Sequence, residues 1–360
     1  MKRLLVIFTG GTIGSKAEGR SINVHDSGSY ALLEAYEGME EARPDVELTT
    51  LQPLNLLSEN LTADDWRTLA AAIRKTDPGS YDGVIVTHGS DTLAYTAPML
   101  SYLFSDIAVP LILTASNYPI ADARANGLRN LAASIDFVAD AALPGVFAVY
   151  ENDRGEMLVY LATRIIQCES FTDQFRSPYE LPFGRMEDRR FVWQDDARNP
   201  RPESLGSARA ALRWEPESLK LDDTVLYIRP YPGLNYSLYR WEDQERRPSA
   251  ILHDLHHSGT ACALASGPYS LPAFISRCKE QGIDVYLSPL KDASDALYAS
   301  SHELIEAGAV FLEGICMEAA LTKLIAAYGI ADDAGQARAW MAQETIFYEK
   351  VPAGGEGGMS

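Results

Sequence analysis

The chain has 360 residues, of which 46% are hydrophobic and 22% charged, and carries a formal net charge of −19. That length suits two domains of ordinary size rather than one core, and the composition is that of a soluble globular protein. The acidic balance lacks the Lys and Arg clusters that phosphate binding needs, so no nucleic-acid partner is expected, and no apolar run reaches the roughly 18–20 residues of a membrane span.

In chain order, MetLysArgLeuLeuValIlePhe joins a charged start to a short apolar run with no small-residue cleavage site behind it. It reads as a strand rather than a signal peptide, in a cytoplasmic protein. Leu4–Phe8, Val46–Leu51, Gly83–Thr87 and Pro110–Thr114 have the Val, Ile and Leu content of buried strands. Between them lie helical patterns. In Thr62–Lys75, Trp66, Leu69, Ala70 and Ile73 fall on one face, and Thr62 with Asp65 makes a capping-box variant. Asp91–Phe104 carries Pro98, read as lying near the first turns, where proline is tolerated. Ala121–Ala139 makes a third helix. This alternation predicts right-handed crossovers and an α/β fold with a mostly parallel sheet.

Residues 185–222 are dense in charge and proline and read as an interdomain connection, with the linker proper at 191–222. It joins a larger N-terminal domain, 1–190, to a smaller C-terminal α/β domain, 223–345. There Thr224–Arg229 and Asp284–Leu287 read as strands, Leu271–Gln281 and Met317–Tyr328 as helices. Residues 346–360, ending in ProAlaGlyGlyGluGlyGlyMetSer, read as a disordered tail. Cys168, Cys262, Cys278 and Cys316 are scattered, with no metal-ligand spacing.

In an open parallel sheet, ligands bind beyond the carboxyl ends of the strands, so the loops there carry the chemistry. Thr9-Gly10-Gly11-Thr12-Ile13-Gly14 follows the first strand and meets neither phosphate-binding fingerprint. A threonine on a glycine turn can be a nucleophile, or the turn can be purely structural. Thr87-His88-Gly89-Ser90-Asp91-Thr92 opens a helix, where backbone N–H groups can stabilise an oxyanion and where Ser and Asp also serve as caps. Leu57-Ser58-Glu59-Asn60 offers a hydroxyl for a carboxylate and a carboxylate for an amine, or is an ordinary loop.

Together these loops resemble the L-asparaginase family, the bacterial type with a threonine nucleophile and two α/β domains, and most closely its cytoplasmic type I branch. In that family ThrGlyGlyThrIle carries the nucleophile and HisGlyThrAspThr a second Thr–Asp pair. AlaAsnGlyLeuArgAsnLeu at 125–131, TyrProGly at 231–233 and LeuThrLysLeu at 321–324 extend the likeness. The resemblance implies that Thr12 attacks the amide carbon of L-asparagine to form an acyl-enzyme, assisted by Ser90 and Asp91. Ser58 would hold the α-carboxylate, while Glu59 and Asp91 receive the α-ammonium. Backbone groups of Gly11, Gly89 and Ser116 would surround the amide being cut. It implies no metal and no organic cofactor. It also implies a homodimer or homotetramer with sites at the subunit interface.

This chain departs from the pattern at three places. Ser90 replaces a threonine, Ser21 stands where the family's lid carries a tyrosine, with Tyr30 nearby, and Arg164 is placed at the active-site lysine. Arginine stays protonated, so it would fix Asp91 and lower its pKa rather than relay a proton. Glu59 resembles members of mixed specificity and implies some glutamine hydrolysis. His88 reads as a hydrogen-bonded structural residue rather than a base, and HisAspLeuHisHis at 253–257 lacks a completing metal ligand. Two other functions stay open. An ammonia-releasing subunit of a tRNA-dependent amidotransferase is disfavoured by the acidic charge and by a nucleophile loop beginning at Thr9, with no extra N-terminal domain. A degenerate amino-acid-binding member is supported only by Arg164 and Ser21.

Overall fold

The computed structural model describes residues 1–11, 15–18, 21–24, 28–206, 212–241, 246–290, 298–342 and 345–353, and the backbone alone for those between 15 and 30. The chain forms two compact units, Met1–Leu219 with Ile346–Tyr348, and Lys220–Thr345 with the chain from Glu349.

The first unit contains β1 (Lys2–Phe8), β2 (Ser15–Glu18), β3 (Ser21–Val24), α1 (Gly28–Glu37), β4 (Val46–Leu51), α2 (Ala63–Lys75), β5 (Gly83–Thr87), α3 (Leu93–Leu103), β6 (Pro110–Thr114) and α4 (Gly127–Asp140). It continues with β7 (Gly145–Glu151), β8 (Met157–Leu161), β9 (Ile166–Glu169), β10 (Gln174–Arg176), β11 (Gly184–Glu187) and β12 (Arg190–Trp193). Eight strands make one sheet in the order β12-β11-β8-β7-β6-β5-β1-β4. The five from β7 to β4 are parallel and the remaining pairings antiparallel, so the expected mostly parallel α/β sheet is present. Leu32 and Tyr36 of α1 and Leu131, Ile135 and Val138 of α4 pack into one core with Leu4, Val6, Ile85, Ile112 and Phe147 from the strands.

β5 and β6 are buried at every residue, as their unbroken apolar sequences require. β4 corrects the expectation of a buried strand: it lies at the sheet edge and alternates between half-buried and exposed residues. α2 buries Trp66, Leu69, Ala70 and Ile73, and Thr62 and Asp65 close the capping box. Pro98 is the sixth residue of α3, not near its start, in a helix buried on all sides. α4 begins at Gly127 rather than 121, because residues 117–126 close on themselves as a loop.

The charged stretch from 185 does not begin a linker. β11 and β12 pair as a hairpin, Glu187 opposite Arg190, and extend the sheet. Its two-residue turn puts Asp188 and Arg189 at φ 46° and 66°, a primed turn that Asn-Gly would normally announce. Arg189 is held there by Asp136, which also takes Arg43. The expected tail likewise starts too early. Ile346 and Phe347 are buried, and the Phe347 ring fills the space over Gly145, where a Cβ would overlap the ring, 2.6 Å from its Cε2.

The second unit holds β13 (Leu226–Ile228), β14 (Ala250–Asp254), α5 (Leu271–Glu280), β15 (Asp284–Leu290), α6 (Ala299–Glu306), β16 (Val310–Glu313), α7 (Met317–Ile330) and α8 (Ala334–Ala342). Its four strands are parallel in chain order, around a core of Ile251, Phe274, Ile275 and Leu287. Lys323 on α7 and Glu349 form a buried ion pair at 2.8 Å. No helix among the described residues is long and apolar enough to cross a membrane.

Candidate active site

The strand order β6-β5-β1-β4 sets four loops side by side at the carboxyl ends of parallel strands. Main-chain bonds stitch them together. Thr9 N donates to Thr87 O at 3.3 Å, Leu56 N to Thr9 O at 3.1 Å, Gly11 N to Leu56 O at 3.0 Å, and His88 N to Thr114 O at 2.8 Å. Gly10 and Gly11 hold φ of 99° and 74°, which glycine alone adopts without strain. A Cβ on Gly11 would lie 2.5 Å from Gly89 N, and one on Gly89 would lie 2.5 Å from the Ser58 Cβ. The three sequence loops therefore meet at one point, in close contact.

Ser58 is buried there, and Thr92 Oγ1 donates to its carbonyl at 2.9 Å. Asp91, Glu59 and Ser90 stand further out, Ser90 half-buried and the two carboxylates exposed. Burial raises the Asp91 pKa first, and the Glu59 charge raises it further. Two acidic groups sharing one mouth favour a ligand with an ammonium group.

His88 is fully buried, and burial pushes its pKa down to about 4, so the ring is neutral. Nδ1 lies 2.9 Å from Gly89 O and therefore carries the proton. Nε2 accepts from Thr96 Oγ1 at 3.0 Å, and Trp66 Nε1 donates to that hydroxyl at 2.8 Å. Both ring nitrogens are engaged, which leaves no basic lone pair for the reaction. The chain Trp66–Thr96–His88 instead fixes the Gly89 peptide.

Ser116 stands at the start of the loop after β6, and its hydroxyl is fully used. Oγ donates to Tyr118 O at 2.6 Å and accepts from Gly127 N at 3.1 Å. Only its backbone is left to face a ligand. Asn117 N donates to Asn126 Oδ1 at 3.0 Å, and Asn126 N to Asn117 Oδ1 at 3.1 Å. Asn130 Nδ2 holds Ala115 O at 2.9 Å. These three asparagines carry no signal in the sequence; two stand in the 125–131 segment, and nothing in their spacing marks a pairing with Asn117.

Arg164 is a correction. The residue is buried and, among its contacts, donates from Nε to Tyr348 O at 2.7 Å and from Nη1 to Arg198 O at 2.8 Å; the expected pairing with Asp91 is what the structure does not bear out. An arginine paired with Asp91 would hold that carboxyl down, whereas it is raised. The element within electrostatic reach of Asp91 is β9. The Cys168 thiol there is pushed up to about 12 by burial first, and by Asp173 and Asp91 after it. Tyr95, one turn into α3 from Asp91, donates to Gln167 Oε1 at 3.0 Å.

Thr12 lies outside the described residues, as do the side chains of Ser21 and Tyr30. Among the described residues no group of three or more His, Cys, Asp and Glu is placed to hold a metal ion. His253 of the HisAspLeuHisHis segment is bonded to Tyr236 Oη at 2.8 Å and to Asp254 O at 2.6 Å.

The family model Asparaginase, N-terminal matches residues 3–199. An L-asparaginase of Thermococcus kodakarensis is 28% identical over 341 residues, 93% of this chain and 95% of its own length. One component of the glutamyl-tRNA(Gln) amidotransferase of Pyrococcus horikoshii is 25% identical over 358 residues, 93% of this chain and 74% of its own. In fold, the solved thermostable L-asparaginase from Thermococcus kodakarensis superposes with a TM-score of 0.77 at 24% identity, covering 97% of this chain and 99% of that one. With the match spanning more than half of the chain and the glycine loops meeting at the strand ends, this chain belongs to the asparaginase family and is a hydrolase acting on amides.

Proposed function

We propose that the protein hydrolyses the side-chain amide of L-asparagine to L-aspartate and ammonia, with Thr12 as nucleophile. The observation that carries this reading is the contact of Gly11, Gly89 and Ser58 at the sheet's carboxyl edge, with Asp91 and Glu59 beside it. Thr12 follows Gly11 directly in the sequence. In the proposed reaction Thr12 Oγ bonds to the amide carbon, and the oxyanion is received by the backbone N–H of Gly89, since that of Gly11 is taken by Leu56 O. The carbon–nitrogen bond breaks, the threonine proton ends on the departing nitrogen, and ammonia leaves. Water then cleaves the acyl-enzyme ester, restoring the hydroxyl and releasing aspartate. Ser90 and Asp91 assist attack, Ser58 holds the α-carboxylate, and Glu59 with Asp91 holds the α-ammonium. The Ser116 backbone faces the leaving nitrogen. Arg164 stays a candidate for fixed positive charge in the site, acting elsewhere than on Asp91.

No metal or organic cofactor enters these steps. Glu59 adds measurable glutamine hydrolysis. The active form is a homodimer or homotetramer with sites at the subunit boundary, in the cytoplasm, where the four free cysteines stay reduced. Ammonia release from asparagine, glutamine, D-asparagine and β-aspartyl peptides tests the reading. Asparagine should be the preferred substrate. Release from glutamine alone would favour the amidotransferase-like alternative, and release from none a binding protein.

A further inference from the structure

Two backbone segments of the site have no local reason to hold still: the turn after β5 and the turn after β6. The first is fixed by His88, as described above. The second, Ala115–Ser116, leads into a ten-residue excursion, 117–126, before α4 begins. A loop of that length would ordinarily leave its base free to shift. Here the base is closed by the reciprocal pair between Asn117 and Asn126, each side chain accepting the other's main-chain N–H at 3.0 and 3.1 Å. Asn126 is buried, and its Nδ2 reaches Glu151 O at 3.4 Å. Asn130 is fully buried and spans the same gap one turn later. It donates to Ala115 O at 2.9 Å and accepts from Glu151 N at 2.9 Å. The loop above is braced independently, with Arg124 over the Tyr118 ring at 3.9 Å and bidentate to Asp122.

In this clasp side chains hold Ala115 O and Asn117 N, on either side of Ser116, and among the described residues the Ser116 carbonyl has no partner. A buried carbonyl without a partner is costly, and it is the kind of acceptor that a carboxamide NH2 can satisfy.

We propose that Asn117, Asn126 and Asn130 are positioning residues that fix the Ser116 carbonyl as acceptor for the NH2 of the amide being cut, and thereby set the preference between side chains of different length. The proposal rests on the amidohydrolase reading above. Asparagine and glutamine differ by one methylene, so their amide nitrogens reach different distances from a common grip on the α-groups. A carbonyl whose neighbours are clasped by side-chain bonds can serve one of these positions well and the other poorly; a carbonyl free to move by about an ångström serves both. The α-groups are held on other loops, by Ser58, Glu59 and Asp91. Loosening the clasp therefore acts on kcat and on selectivity, and leaves KM for asparagine nearly unchanged.

The test compares Asn117→Leu with Asn117→Asp, measuring kcat and KM for asparagine and glutamine in each and in the wild type. Leu removes the acceptor for the Asn126 N–H; Asp keeps it. In Asn117→Leu, kcat for asparagine should fall by about tenfold or more, the change expected when one hydrogen bond ceases to act in the transition state. The asparagine-to-glutamine ratio of kcat/KM should fall with it, while KM for asparagine stays within about twofold. Asn117→Asp should recover most of both. If Asn117→Leu does not fold, Asn126→Asp against Asn126→Ala gives the same comparison from the other side. Loss of rate with an unchanged substrate ratio would mean a merely structural loop and overturn the proposal. An unchanged ratio and unchanged kcat would overturn it too. A wild-type protein that releases no ammonia from either amide would instead refute the amidohydrolase reading on which it rests.

Discussion

Gly11 and Gly89 approach so closely that a single added methyl on Gly11 would lie 2.5 Å from the Gly89 nitrogen and 2.6 Å from its Cα. The loops of β1 and β5 are thus locked by main chain against main chain, with Ser58 of the third loop also against Gly89. Gly11→Ala meets two costs, the overlap and a φ of 74° that alanine resists. It should lower stability by about 1–3 kcal/mol and turnover by at least tenfold. Urea unfolding followed by tryptophan fluorescence, alongside ammonia release, checks both, and an alanine variant of normal stability and rate would contradict the contact.

His88 gives a pH prediction whose sign is fixed. Its folded-state pKa, about 4, lies below the ordinary value of 6.5, so between these pH values the unfolded chain binds more protons. The stabilisation from neutral His88 is complete above about 6.5 and is lost as pH falls through that window to 4. The loss is on the order of 3 kcal/mol. His253, also near 4, adds a similar dependence in the second unit. His88→Gln should flatten the fall in melting temperature between pH 6.5 and 4. It should leave the shape of kcat against pH above 6.5 unchanged, because His88 does not act as a base. A lost acid limb in that variant would reverse this assignment.

Asp91 and Arg164 separate in a second pH experiment. Glu59 raises the Asp91 pKa, so Glu59→Gln should move the acid limb of kcat/KM to lower pH. Arg164→Met should leave that limb where it is. It removes donors from the Tyr348 and Arg198 carbonyls and should cost about 1–3 kcal/mol of stability instead. If Arg164→Met moves the limb upward, the arginine does act on Asp91.

The parts of this fold that are legible in the sequence are those dictated by local pattern. Strands β1, β5 and β6 are continuous apolar runs, and α2 writes its buried face and its capping box into thirteen residues. The site loops are legible only together, as a resemblance to the family's two motifs; singly, each reads equally well as a turn or a helix cap. What stays hidden depends on partners far along the chain. The β11–β12 turn uses Asp188 and Arg189 where glycine or asparagine would be expected, and it is tolerated because Asp136, 53 residues earlier, receives Arg189. Phe347 looks like the start of a tail because nothing local shows that Gly145 leaves it a berth. Arg164 is misplaced for a similar reason. The resemblance to the family's lysine segment puts it beside Asp91, while two of its partners are carbonyls 34 and 184 residues away.

Thr12, next in sequence after Gly11, is the nucleophile we propose for an asparagine amidohydrolase. The most direct measurement is ammonia release from L-asparagine by the wild type and by Thr12→Ala, with the variant's fold verified by circular dichroism. The wild type should turn over, and the folded variant should fall by several orders of magnitude, as loss of a nucleophile does in other acyl-transfer enzymes. A correctly folded Thr12→Ala protein that kept more than a few per cent of wild-type turnover would contradict the account.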